Sequence, residues 1–210
     1  MCAPALAFNA AEKRLVARCN SPEKVQAWLN SLAYNFEADG KPTIRTLRRV
    51  VRDKTAHCLE GALAAAALLM TQGHPPRILC MEARDVDHNV VLYKKRGLWG
   101  CVAQSRDENL KSRPPKFRTL RDLVLSYHPY YWNLRTGDET DLSLRGFATL
   151  DLSPFDPSMW VLGEEEAKPI EDALYALSYT ALFPRPGRTA YVCHRDERLE
   201  WVVPAKKQRF

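Results

Sequence analysis

The chain has 210 residues, 46% of them hydrophobic and 27% charged, a composition that excludes a disordered or collagen-like chain and is sufficient for a self-supporting core. The longest apolar stretch, Ala62–Met70, falls far short of the roughly 20 residues that cross a bilayer, and Met1–Ala10 lacks the basic flank of a secretory signal, so a cytoplasmic protein without membrane contact is expected. Lys and Arg exceed Asp and Glu by 31 to 25, a net charge of +6, and the six cysteines (Cys2, Cys19, Cys58, Cys80, Cys101 and Cys193) are scattered without a CxxC pair, which argues against a zinc site or a disulfide framework.

Ser21-Pro22-Glu23 reads as a helix start, with Val25, Trp28, Leu29 and Leu32 then spaced by three and four, and a stop before Asp39-Gly40. A second helix is predicted from Thr43, with Ile44, Leu47, Val50 and Val51 on one side and Arg45, Arg48, Arg49 and Arg52 on the other. Such a row of arginines is usually a solvated face rather than a nucleic-acid footprint; the same holds for Lys94–Arg96, Lys111–Arg121 and the tail Lys206, Lys207 and Arg209. A third helix begins near Thr55 and runs to Gly73, apolar on nearly every side and therefore central.

The period then changes to that of strands: Arg77–Ala83, His88–Lys94 and Leu98–Gln104, the last two joined by a turn containing Gly97. A basic loop over 105–116 leads to a helix over Thr119–Tyr127. The segment 128–157 holds a turn at Thr136-Gly137-Asp138 and one strand, Phe147–Leu152; a long helix over Glu164–Leu182 and a closing hairpin over Ala190–Val203 complete the chain. Helices first and strands after predict an α+β domain spanning 1–210, with a core over about 20–116 and an appended cover over about 117–210.

Thr55-Ala56-His57-Cys58-Leu59-Glu60-Gly61 sets one cysteine in the first turn of the most apolar helix. There the unpaired N–H groups and the helix dipole favour a thiolate, the activated nucleophile of cysteine hydrolases and acyltransferases. His88, at a strand start 30 residues later, is placed to reach the end of that helix as a base. Taken singly, a cysteine near a helix start is more often a buried hydrophobe, and a strand-end histidine a solvated polar group.

Taken together, the pieces resemble the transglutaminase-like superfamily over roughly 34–105. Cys58 opens an Ala-rich helix, Gly73-His74-Pro75-Pro76-Arg77-Ile78 stands where that family turns into a strand, His88 follows on the next strand, and Gly97-Leu98-Trp99 resembles the motif opening the third. The resemblance implies a papain-type core, a central helix packed on an antiparallel sheet, with Cys58 as nucleophile and His88 as base. Where the family's aspartate stands, this chain has Val102-Ala103-Gln104-Ser105. A two-residue turn at Arg96-Gly97 sets Ser105 opposite His88, and a three-residue turn sets Gln104 there; Asp87 and Asp107 are further carboxylates nearby. An oxyanion hole is expected from the Cys58 N–H with Tyr34, Asn35 or His57. Trp99, Tyr127, Tyr130, Tyr131 and Trp132 either line a cleft or pack a core. The function expected is a cysteine-dependent hydrolase or acyltransferase acting on a protein or peptide substrate, without cofactor. The alternatives are a catalytically degenerate binding module of the same fold and, ranked below both, a basic nucleic-acid-associated protein.

Overall fold

The computed structural model of the chain describes residues 6–38 and 40–202. Cys2, Asp39, Val203 and the basic tail residues named above lie outside them. The fold is α+β, built on one eight-stranded antiparallel sheet flanked by helices. Among the described residues no helix is long and apolar enough to cross a membrane.

Helix α1 (Ala10–Arg18) starts at an Asn9–Glu12 capping box, and α2 (Pro22–Leu29) starts at the Ser21 cap. Helix α2 ends at Leu29 rather than near Asp39. There the Ser31 hydroxyl bonds back to the Trp28 carbonyl at 2.7 Å, a side-chain bond that competes with helix continuation, and the chain enters β1 (Ala33–Tyr34). The next helix, α3 (Leu47–Asp53), begins at a Thr46 cap instead of Thr43. The N–H groups of Thr43, Ile44 and Arg45 are taken by the carboxylates of Glu37, Glu166 and Glu60, so these residues are extended. Strand β2 (Thr55–Ala56) pairs in parallel with β1, Tyr34 opposite Ala56. It leads directly into α4 (Cys58–Met70), every residue of which from Leu59 to Leu69 is buried; each fully buried leucine contributes about 1.5–3 kcal/mol.

Strands β3 (Arg77–Ala83), β4 (His88–Lys95) and β5 (Leu98–Val102) form a meander. Arg96 and Gly97 both have positive φ, 53° and 80°, the two-residue turn that matches strand twist. Val91 therefore pairs with Val102, the register that points Ser105 at His88. Strand β6 (Arg113–Phe117) adds to β5. After α5 (Leu120–Leu125), the short strands β7 (Trp132–Asn133) and β8 (Asp138–Leu142) form a separate hairpin. Then β9 (Leu144–Asp151) joins the free edge of β3. Helices α6 (Pro157–Trp160) and α7 (Lys168–Tyr175) lead to β10 (Ser178–Arg185), β11 (Arg188–Cys193) and β12 (Leu199–Val202). The sheet order is β12-β11-β10-β9-β3-β4-β5-β6.

Two expectations are corrected here. The region after 117 is not simply a cover: its first part packs on one face, while β9–β12 extend the sheet itself. The long helix over 164–182 is a short helix followed by a strand. Pro169 suits only a helix start, and beyond α7 the alternation of buried Tyr179 and Ala181 with exposed Ser178 and Thr180 has the period of a strand. The same alternation in β3 to β5 divides the core. Ile78, Cys80, Val91 and Tyr93 face α4, whereas Leu79, Met81, Val90 and Leu92 face α5.

The arginine row is solvated only at Arg52. Arg45 is buried against Glu60, and Arg48, Arg49 and Arg52 pair with Glu12, Glu166 and Glu164. These pairs tie α3 to α1 and to the segment before α7.

Candidate active site

The parallel pairing of β1 with β2 brings Tyr34 alongside the residues that precede Cys58. His57 is the cap of α4: its Nδ1 accepts the Leu59 N–H at 3.2 Å, and its Nε2 lies 2.7 Å from the Thr43 carbonyl. A carbonyl only accepts, so Nε2 carries the proton. Glu60, in the third helical position, closes the capping box by accepting the His57 N–H at 3.0 Å. Its carboxylate is fully buried and is balanced by the Arg45 guanidinium at 2.8 Å and the Thr43 hydroxyl at 2.8 Å. The helix start that carries Cys58 is thus fixed from both sides.

Cys58 is half-buried, its Sγ 3.9 Å from the Asp87 carbonyl. Burial opposes ionisation of its thiol, but the neighbouring His57 and His88 imidazoles outweigh that and hold it well below the ordinary thiol value. His57 responds in kind. Burial lowers it, yet the Cys58 sulfur and Glu60 prevail and raise the ring to about 9. Charging the ring requires Nδ1 to give up the Leu59 N–H, so the neutral cap and the imidazolium exclude each other at that atom. The other cysteines with altered thiols, Cys19, Cys80, Cys101 and Cys193, all shift the opposite way, each chiefly through burial.

His88 is buried, and its Nε2 lies 2.7 Å from the main-chain carbonyl of Leu110. That carbonyl, and neither Gln104 nor Ser105, contacts the ring. Gln104 is spent elsewhere: its Nε2 donates to the Leu32 carbonyl at 3.2 Å and its Oε1 accepts the Ser105 N–H at 3.1 Å. The Ser105 hydroxyl accepts the Asp107 N–H at 3.1 Å. Of the alternative carboxylates, Asp87 accepts the Ala83 N–H and Asp107 the Asn109 N–H. Register does bring Ser105 to the site, but the strand ends at Val102 and the chain turns away. A main-chain carbonyl has no side-chain signature, so nothing in the sequence pointed to Leu110.

The loop that carries Leu110 is clamped. Arg113 donates to the carbonyls of Asn109 and Ser112 at 2.7 and 3.1 Å and to the Ser126 hydroxyl at 3.0 Å. Its guanidinium lies 3.8 Å from the centre of the Tyr127 ring, whose hydroxyl donates to the Lys111 carbonyl at 2.6 Å. The basic loop over 105–116 therefore spends its central arginine on holding its own backbone.

Two clefts meet at Cys58. The smaller, about 170 Å³, is lined by His88, Ser105, Leu110, Tyr130, Tyr131 and Trp132 among others. The larger, about 390 Å³, runs between the α4 start, α7 and the sheet. Tyr34, Cys58, Val86, Asp87 and Arg106 border both. Burial first, then the Cys58 sulfur, pushes the Tyr34 phenol up to about 12, while the Cys58 N–H opposes this. The phenol therefore stays a neutral hydroxyl on the border of both clefts. Burial also raises Asp87, to about 7. Of the aromatic residues singled out from the sequence, Tyr130, Tyr131 and Trp132 line the smaller cleft, Tyr127 is buried beside His88, and Trp99 packs outside both clefts under Lys94. Among the described residues no group of three or more His, Cys, Asp and Glu side chains is arranged to hold a metal ion. No protein-family model matches the chain, and no curated protein is found to be significantly similar to it.

Proposed function

We propose that the chain is a cysteine-dependent hydrolase or acyltransferase with a transglutaminase-like, papain-type core, acting on an amide, isopeptide or thioester. The observation that carries this reading is Cys58 at the α4 start on one cleft with a buried His88 whose far nitrogen is held by the Leu110 carbonyl, and the two flanking imidazoles hold its thiol low. The Cys58 thiolate attacks the substrate carbonyl, and the oxyanion is received by the Cys58 N–H and the Tyr34 hydroxyl. His88, protonated through Nδ1, gives its proton to the leaving group as the thioester forms. Water or an amine then attacks the thioester and returns a proton to the ring.

Replacing an orienting carboxylate by its amide in a serine-protease triad costs about 10⁴ in rate, because the amide imposes the wrong tautomer. A main-chain carbonyl cannot do that: it only accepts, and so enforces the same tautomer as a carboxylate. What it lacks is the full negative charge that stabilises the imidazolium. A thiolate nucleophile depends less on that charge than a serine does, so slow acyl transfer is retained. The absent charge is also what favours a second reading, a non-catalytic protein-binding module of the same fold.

Burst acylation by p-nitrophenyl acetate separates the two. The enzyme reading expects stoichiometric nitrophenolate and a mass increase mapped to Cys58, abolished in Cys58→Ser and slowed by at least about 100-fold in His88→Ala. No adduct at Cys58, or an adduct indifferent to His88, supports the binding module instead.

A further inference from the structure

Asn89 follows His88 in β4 and so turns to the opposite face of the sheet, the face that packs on α4. It is 6% exposed, and its Oδ1 is enclosed without a hydrogen-bond partner among the described residues. Its neighbours on that face, Val91 and Tyr93, pack on the helix. An apolar side chain would suit the position, and a buried amide left unsatisfied is a cost to folding that native structures seldom retain. The carboxamide borders the larger of the two clefts that meet at Cys58. Rotation about its Cβ–Cγ bond exchanges the buried and cleft-facing ends, so it can present either a donor or an acceptor to whatever fills the cleft.

The remaining walls narrow the class of occupant. Leu59, Leu174 and Tyr179 are buried and apolar in their contact surfaces, while Phe36 and Tyr175, 66% and 39% exposed, stand at the mouth. Glu37, Asp87 and Glu171 outnumber Arg106 on its border, which disfavours a free carboxylate. A cleft of about 390 Å³ is within the usual range for a bound small group. We propose that this cleft is the acyl-donor subsite for an internal, uncharged peptide segment, whose backbone amide pairs with the Asn89 carboxamide and whose apolar side chain lies against Leu174 and Tyr175. The assignment rests on the proposed reaction at Cys58 in calling the subsite acyl-donor, but amide recognition by Asn89 is independent of any bond being made.

The test is a titration of N-acetyl-leucine methylamide followed by amide NMR shifts of the full chain. Wild type is expected to bind with shifts concentrated around the larger cleft. Asn89→Leu and Asn89→Ala, the second of which cannot overpack, are expected to bind about ten-fold more weakly, the factor for one unmade buried hydrogen bond. N-acetyl-leucine methyl ester, which keeps the acetamide N–H but lacks the C-terminal amide N–H, is expected to bind wild type about ten-fold more weakly than the methylamide and to bind Asn89→Leu as well as the methylamide does. Both variants are also expected to keep or raise the melting temperature, which a structurally required asparagine would lower. Absence of binding to wild type, equal binding by both variants, losses that add independently, or shifts confined to another surface overturns the proposal. Intact amide recognition with an inert Cys58 would instead overturn only the reaction.

Discussion

His88 donates through Nε2 to the main-chain carbonyl of Leu110 at 2.7 Å, from a one-turn helix over Glu108–Leu110 that Arg113 clamps from beneath. The orientation of the ring is thereby handed to a loop backbone rather than to a side chain. Whatever loosens that loop loosens the ring.

Arg113 is accordingly a positioning residue. Arg113→Ala is expected to lower acylation of Cys58 by about ten-fold or more, with the thiol midpoint moving up as His88 loses its fixed approach. Arg113→Lys restores charge without the planar fork and the stacking on Tyr127, and is expected to rescue little. Pre-steady-state acylation against pH in both variants checks this; unchanged profiles would mean that the loop holds itself.

His57 tests the second imidazole. Asparagine at this position still caps the helix but forgoes the ring's bond to the Thr43 carbonyl, so His57→Asn is expected to fold with a loss of stability. It removes one of the two groups that lower the Cys58 thiol, and the alkylation midpoint is expected to rise. A midpoint that stays in place would assign the whole depression to His88 and the helix end.

Asp87 has a stability signature. Unfolded aspartates titrate near 3.9, whereas burial raises Asp87 in the fold to about 7. Between those values the native state holds more protons than the unfolded state, so this group's contribution is full below about pH 4 and is lost as pH rises through 7. Asp87→Asn keeps an acceptor for the Ala83 N–H and abolishes the loss. Urea unfolding at pH 5 and pH 8 should show the variant gaining on wild type at both, by about 2–3 kcal/mol more at pH 8 than at pH 5; equal gains at both would refute the titration.

Gly61 is required by a close approach rather than by its backbone angles. A Cβ there would lie 2.5 Å from the Cβ of Gln104. The helix propensity gained by alanine, about 0.5–1 kcal/mol, is outweighed by overpacking of about 1–3 kcal/mol, because the obstructing atom adjoins the main chain and Gln104 is tied to Leu32. Gly61→Ala is expected to be destabilised, as read by its urea midpoint. Stabilisation would show that the loop after β5 yields freely.

The elements around the site were legible where local chemistry fixes them. The Ser21 cap, the opening of the Ala-rich helix near Cys58 and a hairpin turn containing Gly97 all follow from residue type and spacing, and the structure has them. Failures arose where a distant partner decides. Thr43 to Arg45 continue a helical pattern but are drawn out by three carboxylates, one from Glu166. The arginine row looks like a solvated face until Glu12, Glu60, Glu164 and Glu166 arrive from elsewhere in the chain. In the candidate site, Cys58 and His88 are singled out by type, spacing and the family resemblance, whereas the Leu110 carbonyl, the Glu60 network and the cleft-facing Asn89 depend on tertiary placement that no local pattern encodes.

The most direct measurement is the rate of iodoacetamide labelling against pH, resolved cysteine by cysteine by mass spectrometry, in wild type and His88→Ala. The account expects Cys58 to react with a midpoint well below the usual thiol value of about 8.5, the other cysteines to titrate at or above it, and the Cys58 midpoint to rise when His88 is removed. A Cys58 that titrates with the other cysteines, or a midpoint that His88→Ala leaves unmoved, would contradict it.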